Sequence, residues 1–380
     1  MNARSILICT VGTSLFRPNL EGLKRSHEEG TADPRLVALA KGYAAQDWTA
    51  VARELGGLPA TDRICGAEIN SIASMIEHGH VCPDCGLFFL HSDTADGRSI
   101  AAILKSYFEL RHAPVESVAV TDLQDVDPKR FRTKGLRTLA KELCRVIRER
   151  TPAACAINAT GGYKAQIAIA VLLGQAVGVP VFYKHELFSE IIAFPPMPVA
   201  LDFEVWMRAS GMLISLEMAT DPLPSSAFAD EWDERYESLV DHVEIDGTDY
   251  LELSPTGQIF HETFRERFRT SRDQVLPPEA ITKHDPVLHD HGVINQLRSE
   301  LLRFLIELTN EVSFITRCVT NYCHPQLNEP RRFRIKGEEI EGIFSDGTRT
   351  VKFAVHTTSS TAGQTAAAVA YLNEWLASES

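Results

Sequence analysis

No apolar run in the sequence is long enough to span a bilayer. Residues 1–5 lead directly into a strand-like segment, with neither the basic nor the apolar region of a signal peptide. We therefore expect no membrane partner and a cytoplasmic location. The hydrophobic fraction of 44% and the charged fraction of 23% are typical of globular proteins, and 380 residues are enough for two or three domains.

The sequence also lacks the cysteine pattern of a disulfide framework or a structural zinc site. Its eight cysteines are scattered, which indicates reduced thiols. Cys82 and Cys85 have the spacing of half a zinc site, and three histidines lie nearby: His78, His80 and His91. A structural zinc needs four ligands, usually from two such pairs. We therefore expect no metal and keep a local zinc site as the minor alternative.

Acidic residues outnumber basic residues in this sequence, and almost all of the acidic excess lies in one segment. The formal net charge is −13. Residues 201–280 carry 6 Lys and Arg against 18 Asp and Glu, whereas residues 1–200 carry 22 against 21 and residues 281–380 carry 10 against 12. The acidic segment repels free nucleic acid and suits a basic partner, or it serves only as a solvated face.

The most informative stretch is residues 158–164, with the sequence NATGGYK. It follows an apolar, strand-like run at 153–157 and precedes a helical pattern at 165–173. A glycine-rich turn between a strand and a helix presents free backbone N–H groups to a phosphate. A second small, hydroxyl-rich turn, residues 12–14, follows the strand-like run 5–11. Both turns would lie at the carboxyl edge of one parallel sheet, where α/β folds bind ligands.

Strands and helices alternate over residues 1–200, which predicts an α/β fold with a mostly parallel, doubly wound sheet. The helical patterns include one long segment at 33–55. Proline-rich breaks near residues 195–198 and 277–278 divide the chain into three parts: 1–200, a connector at 201–280, and 281–380. The sequence of the connector predicts helices at 201–220 and 228–243, a strand at 249–253 and a helix from 255. This order of elements is winged-helix-like.

The last part has the pattern of a small α+β domain. A helix is predicted from residue 293 to about 317, followed by strands at 332–336, 339–344 and 349–356. Asp346-Gly347 between the last two strands is a hairpin signal. A C-terminal helix is predicted at 366–375.

Three ordered motifs, residues 11–15, 90–97 and 158–164, resemble those of the CARF domain, the CRISPR-associated Rossmann-like sensor of cyclic oligoadenylates. The resemblance implies a homodimer that holds one cyclic ligand across its two-fold axis, which suits cyclic tetra-adenylate. Slow cleavage of the ligand by Ser14 and Lys164 is a further implication. By this resemblance the ligand contacts are Gly12, Thr13, Ser14, Ser92, Thr94, Asn158, Thr160, Gly161, Gly162 and Lys164.

The C-terminal part resembles a RelE-type messenger-RNA interferase in its run of basic residues on successive strands. The resemblance implies a metal-independent ribonuclease with no cofactor, which acts on messenger RNA at the ribosome. Cationic side chains would align the ribose 2′-OH and stabilise the developing charge. The acidic connector would then be a candidate for docking on a basic ribosomal protein. The expected catalytic residues are Arg332, Arg334, Lys336, Lys352 and His356.

Three alternatives remain for the C-terminal part. A HEPN ribonuclease uses an Arg and a His a few residues apart on a helix, and two pairs have that spacing: Arg317 with His324, and Arg349 with His356. A restriction-type nuclease would need another carboxylate on the strand that follows Glu339 and Glu341. A non-catalytic, ligand-gated regulator could bind DNA through the connector, although the charge of the connector disfavours DNA.

Overall fold

The structure is a computed structural model that describes residues 3–185, 188, 190–197, 201–289, 294–324 and 327–378. The chain forms two compact units, Met1–Ala200 (unit 1) and Leu201–Ser380 (unit 2). Within the described ranges, no helix has the length and apolar character needed to cross a membrane.

Unit 1 contains one six-stranded sheet with helices packed around it. The strand order is β3-β2-β1-β4-β5-β6, and every neighbouring pair is parallel except β5 and β6. The predicted mostly parallel α/β sheet is therefore confirmed. Its elements are β1 (Arg4–Thr10), α1 (Glu21–Glu28), α2 (Val37–Ala44), α3 (Trp48–Gly56), α4 (Gly66–Glu77), β2 (Val81–Ser92), α5 (Ala95–Phe108), β3 (Val115–Val120), α6 (Pro128–Arg130), α7 (Leu136–Arg150), β4 (Cys155–Asn158), α8 (Lys164–Val177), β5 (Val181–Tyr183) and β6 (Ile192–Phe194).

Local capping determines where several of these helices begin and end. The Thr94 side chain accepts a hydrogen bond from the Gly97 N–H and begins α5, while Gly178, in the left-handed conformation, ends α8. The single helix predicted over residues 33–55 is wrong. Asp47 accepts from the Ala50 N–H and starts a new helix, α3, and Gln46 before it has a positive φ of 55°. The chain therefore turns between α2 and α3.

The described residues of unit 2 form two antiparallel sheets and four α-helices. The larger sheet has the strand order β10-β13-β12-β11, and the smaller has the order β7-β9-β8. Two 3₁₀ segments, Ser225–Glu231 and Glu234–Leu239, separate β7 from β8. The labelled elements are α9 (Phe203–Met218), β7 (Leu223–Pro224), β8 (Val240–Ile245), β9 (Thr248–Leu253), α10 (Pro255–Val275), α11 (Ile294–Glu311), β10 (Ile315–His324), β11 (Arg332–Lys336), β12 (Glu339–Ser345), β13 (Thr350–Thr357) and α12 (Ala362–Ser378).

One predicted helix in unit 2 is wrong, and another is predicted too long. The segment 228–243 forms 3₁₀ turns and the start of β8. The helix predicted to continue to about residue 317 ends at Glu311, and β10 follows it. Residues 312–322 are rich in β-branched and aromatic side chains, and β10 pairs with β13 along nearly its whole length. The three predicted C-terminal strands and the Asp346-Gly347 hairpin are confirmed.

One face of the four-stranded sheet is covered and the other carries polar groups. Leu301 and Leu305 of α11, together with Leu372 of α12, pack in one core with Phe353 and Val355 of β13. Because side chains alternate along a strand, the residues between these core positions point to the opposite face. That opposite face holds the basic residues singled out in the sequence.

Asn373 joins α12 to β11 inside unit 2. Its side chain accepts from the Phe333 N–H at 2.8 Å and donates to the Phe333 carbonyl at 2.9 Å, so it completes the hydrogen bonding of an edge strand. It also donates to Ser210 Oγ of α9 at 3.2 Å. A Cβ on Gly211 of α9 would lie 2.6 Å from the Phe333 carbonyl oxygen, so only glycine permits this close approach.

Asn373→Ala should lower the free energy of unfolding by about 2–4 kcal/mol, because it leaves both backbone groups of Phe333 buried without their partner. Denaturant unfolding followed by circular dichroism measures this. Asn310→Ala, at an exposed position of α11, serves as the control and should change stability by less than about 0.5 kcal/mol. A loss for Asn373→Ala no larger than the control would contradict this role.

Candidate functional site

The ligand residues expected from the sequence come together at the carboxyl edge of the unit 1 sheet. Strand β1 lies between β2 and β4, so the segments after these three strands are neighbours. The turn at 12–14 follows β1, Ser92 ends β2, and Asn158 ends β4. Thr94 caps α5 and Lys164 is the first residue of α8, with an exposed side chain.

Two glycine turns at this edge touch backbone to backbone. A Cβ on Gly12 would lie 2.5 Å from the Gly162 nitrogen, and a Cβ on Gly161 would lie 2.7 Å from the Thr10 carbonyl oxygen. Gly162 has a φ of 102°, a conformation that favours glycine. The Thr10 hydroxyl donates to the Gly161 carbonyl at 2.5 Å and ties the two turns together. We call this pair of turns the glycine cradle.

Asn158 and Thr160 shape the second turn of the cradle. The Asn158 side-chain oxygen accepts from the Thr160 hydroxyl at 2.6 Å, and its amide donates to Ser71 Oγ at 2.8 Å. Thr160 Oγ1 accepts from the Lys184 N–H at 3.0 Å. Lys184 follows β5, and its ammonium group donates to Ser74 Oγ of α4 at 3.3 Å. Sequence reasoning missed it, although it has the same position after its strand as the other site residues.

The remaining hydroxyl groups hold the neighbouring loops. Ser14 Oγ accepts from the Ala67 N–H at 3.1 Å, which joins the first turn to the start of α4. Ser92 Oγ and Thr94 Oγ1 lie 2.9 Å apart at the start of α5. Thr13, in the turn after β1, is exposed. The edge therefore carries backbone N–H groups, hydroxyl groups and lysines, which suit a phosphate or ribose ligand.

A buried carboxyl, Glu68, lies beneath the cradle. Its Oε1 accepts from the Gly12 N–H at 2.7 Å, and a Cβ on Gly161 would lie only 2.2 Å from that oxygen. Its Oε2 has no hydrogen-bond partner among the described residues. Burial raises the pKa of Glu68, and the hydrogen bond from Gly12 offsets this only in part. No local pattern identifies Glu68, because it acts on a turn 56 residues away.

In unit 2, Arg332 and Arg334 lie on the polar face of the four-stranded sheet, but both are only 1% exposed. Arg332 pairs with Glu231 at 2.7 Å and with Glu329 at 3.4 Å. Its guanidinium also lies over the Phe228 ring, whose residue is fully buried. Neither the sheet nor the connector alone forms this arrangement, since Glu231 and Phe228 belong to the 3₁₀ segment Ser225–Glu231.

Arg334 and Lys336 also form ion pairs with carboxylates. Arg334 contacts Asp230 at 2.9 Å and Glu341 at 2.6 Å, and Lys336 contacts Glu341 at 3.0 Å. Burial alone would raise the pKa of Glu341, but hydrogen bonds from Lys336 and Arg334 hold it below its ordinary value. Lys352 contacts Glu329 at 2.8 Å. Four of the expected catalytic cations are thus engaged by carboxylates.

A cleft of about 560 Å³ opens on this face beside the ion pairs. Tyr322, 48% exposed, contributes an aromatic ring to it. The polar lining residues are Asn321, Tyr322, Lys336, Glu339, Glu341 and Lys352. The volume is in the range that holds a small organic ligand or a nucleotide.

His356 and the alternative Arg–His pairs also lie on β-structure. Arg317 and His324 both belong to β10, so they lack the helical setting that a HEPN motif requires. His356 is exposed on β13 and is paired in register with Arg317. Arg349 lies at the hairpin before β13, next to Asp346.

Cys82 and Cys85 are both on β2 and have free thiols. Cys85 Sγ lies 4.0 Å from Nδ1 of His112, and no zinc-like set forms around them: across the ranges that the structure describes, no three or more His, Cys, Asp or Glu side chains are grouped to hold a metal ion.

A family model described as CRISPR-associated protein (Cas_APE2256) matches residues 63–197. The matched part runs from α4 through the second turn of the cradle to the end of unit 1 and covers less than half of the chain. It supports a CRISPR-associated, CARF-like protein. Unit 2 lies outside the match, and no curated protein matches the chain.

The free energy of unfolding of Glu68→Gln, relative to that of the wild type, should increase as the pH rises above 4.5, the ordinary pKa of a Glu side chain. A carboxyl whose pKa is raised by folding is neutral in both states at low pH, and the folded protein loses stability as the pH rises through the folded pKa. Unfolding free energies of both proteins between about pH 4 and pH 8 measure the difference.

Glu77→Gln, at an exposed position of the same helix, is the control. The difference in unfolding free energy between Glu77→Gln and the wild type should not increase with pH. A difference for Glu68→Gln that stays constant with pH would contradict the buried-carboxyl interpretation.

Proposed function

We propose that this protein is a sensor and effector of CRISPR defence, in which cyclic oligoadenylate bound by unit 1 activates RNA cleavage by unit 2. The family match supports the CRISPR association. The glycine cradle is the observation that carries the proposal. It combines close backbone approach, hydroxyl groups and the exposed Lys164 at the start of a 14-residue helix.

The cradle suits a polyanion made of riboses and phosphates. Backbone N–H groups at a helix N-terminus bind phosphate oxygens, and the positive end of the helix dipole adds to the attraction. Lys164 and Lys184 lie at the same edge. A homodimer would place two cradles about a two-fold axis, and a ring of four adenylates has the same symmetry. We therefore propose cyclic tetra-adenylate as the activator.

The polar face of the unit 2 sheet is the proposed RNA site. Its cations lie beside a cleft with an exposed aromatic ring, on which a base can stack. The cations are Arg317, Arg332, Arg334, Lys336 and Lys352, and the carboxylates on or against the face are Asp230, Glu231, Glu329, Glu339 and Glu341.

Five cations and five carboxylates thus share this face, and the formal charges of these ten side chains cancel. RNA affinity depends strongly on positive charge, because phosphate contacts release counterions. This face should therefore bind free RNA weakly. Delivery of messenger RNA by the ribosome would overcome the weak affinity, in line with the resemblance to RelE-type interferases. The acidic connector is the candidate surface for docking on a basic ribosomal protein.

In cell-free translation, the protein should cut translated messages only when cyclic tetra-adenylate is present, and it should cut the same RNA poorly without ribosomes. Mapping of RNA 5′ ends measures both. Lys164→Ala should raise the ligand concentration for half-maximal cleavage by about 10- to 100-fold, the value of a hydrogen bond to a charged group.

Lys105→Ala is the matched control, because Lys105 lies in the last turn of α5, away from the carboxyl edge. It should leave the ligand response unchanged. Equal cutting of free and ribosome-bound RNA would argue against the ribosome requirement. Absence of any ligand-dependent cutting would refute the proposed function.

A further inference from the structure

Two aromatic rings meet beside the glycine cradle. Tyr163 follows Gly162 in the second turn of the cradle and directly precedes α8. The centre of its ring lies 5.2 Å from that of the Phe131 ring, and the two ring planes meet at 80°. Both residues are only partly buried. In such an edge-to-face pair, each ring keeps at least one face that its partner does not cover. We call this pair the aromatic corner.

Phe131 reaches the cradle because β3 is parallel to its neighbour β2 and ends at the same edge of the sheet. After β3, Asp127 accepts from the Arg130 N–H at 3.0 Å and begins a helical segment that passes through a π-helical turn, Phe131–Gly135, into α7. A Cβ on Gly135 would lie 2.5 Å from the Asp122 carbonyl oxygen, so glycine allows this helix to pack against the chain that leaves β3. Turns of π-helix within α-helices are frequent at functional sites.

The start of this helix carries four exposed cations: Lys129, Arg130, Arg132 and Lys134. Arg130 pairs with Asp122 at 2.5 Å, whereas the other three form no ion pair with any residue that the structure describes. Positive charge near a helix N-terminus is unfavourable, so these side chains do not stabilise the helix. They suit the attraction of phosphates to the adjacent cradle, since exposed charges act over about 10 Å at 0.1 M salt.

We propose that the aromatic corner stacks a base of the nucleotide ligand, an inference that rests on the proposed binding of cyclic oligoadenylate by unit 1. A phosphate bound at the second turn of the cradle lies next to Tyr163, so the base of the same nucleotide is within reach of the two rings. The base stacks on an uncovered ring face, and the exposed cations attract the neighbouring phosphates.

The corner adds a contact of a different kind from those of the cradle. Backbone N–H groups, hydroxyl groups and Lys164 bind phosphate or ribose oxygens, whereas aromatic rings bind the π-face of a base. The corner therefore distinguishes a nucleotide from a phosphate that carries no base. In a homodimer that holds one ring of four adenylates, the two-fold axis provides two corners, so alternate bases of the ring are stacked.

Phe131→Leu should weaken the binding of cyclic tetra-adenylate by about 5- to 100-fold, the range that stacking of one base on an aromatic ring gives. Phe131→Tyr should bind within about threefold of the wild type, because it keeps the ring. Leucine keeps an apolar side chain without a ring, so the two variants separate stacking from apolar packing. Calorimetric titration of the full-length protein measures these affinities.

Phe194→Leu is the matched control. Phe194 is 37% exposed on β6 and lies opposite Val181, the first residue of β5, so it is at the other end of the sheet from the cradle. This variant should bind cyclic tetra-adenylate like the wild type. Thermal unfolding checks that each variant is folded.

A second readout reports the stacking itself. The probe is cyclic tetra-adenylate with one adenine replaced by 2-aminopurine, whose fluorescence is quenched when it stacks on an aromatic ring. At saturating protein, the wild type, Phe131→Tyr and Phe194→Leu should quench the probe to the same extent, and Phe131→Leu should quench it less. This comparison does not depend on affinity, because all of the probe is bound.

The outcomes separate this inference from the proposed function. If the wild type binds cyclic tetra-adenylate while Phe131→Leu either stays within about threefold of it or quenches the probe equally, the stacking assignment is overturned and the proposed function stands. An equal loss of affinity in Phe131→Tyr and Phe131→Leu, or no quenching by the wild type, also overturns the assignment. If the wild type binds no cyclic tetra-adenylate, the proposed function fails and this inference fails with it.

Discussion

The close approach of the Gly12 and Gly161–Gly162 backbones determines how the edge of unit 1 is built. Neither turn admits a side chain there, because an added Cβ would overlap backbone or carboxylate atoms. The contact requires β1 and β4 to be neighbours, and their parallel pairing delivers both turns to one edge. The hydroxyl groups and Lys164 lie around this backbone contact. Glu68 completes the arrangement from below, through its bond to the Gly12 N–H.

In unit 2, ion pairs between the sheet and the connector determine how the polar face is built. The 3₁₀ segment Ser225–Glu231 is anchored by the buried Phe228 and presents Asp230 and Glu231 to two arginines of β11. The Arg332–Glu231 pair is buried on both sides, so truncating one partner would leave an uncompensated charge, and this pair holds the connector segment to the sheet.

Local patterns predict the strand, turn and helix around residues 158–164, because an apolar run, two glycines and a helical period lie within one short stretch. They also predict the Asp346-Gly347 hairpin. Strand β10 was missed because its β-branched residues follow a strongly periodic helix without a proline or glycine between them. The burial of Arg332 depends on Glu231, which lies 101 residues earlier, and no local pattern carries that information. The same holds for Glu68 and the turn that it supports.

The central claim is that the glycine cradle binds the activating ligand, and calorimetric titration with cyclic tetra-adenylate tests it most directly. Three folded proteins are compared: the wild type, Gly161→Ala, and Gly56→Ala as a control whose added Cβ meets nothing within 4 Å. The wild type and the control should bind equally, and Gly161→Ala should bind at least about tenfold more weakly, a loss of about 1.4 kcal/mol. Equal binding by all three proteins, or no binding by the wild type, would contradict the claim.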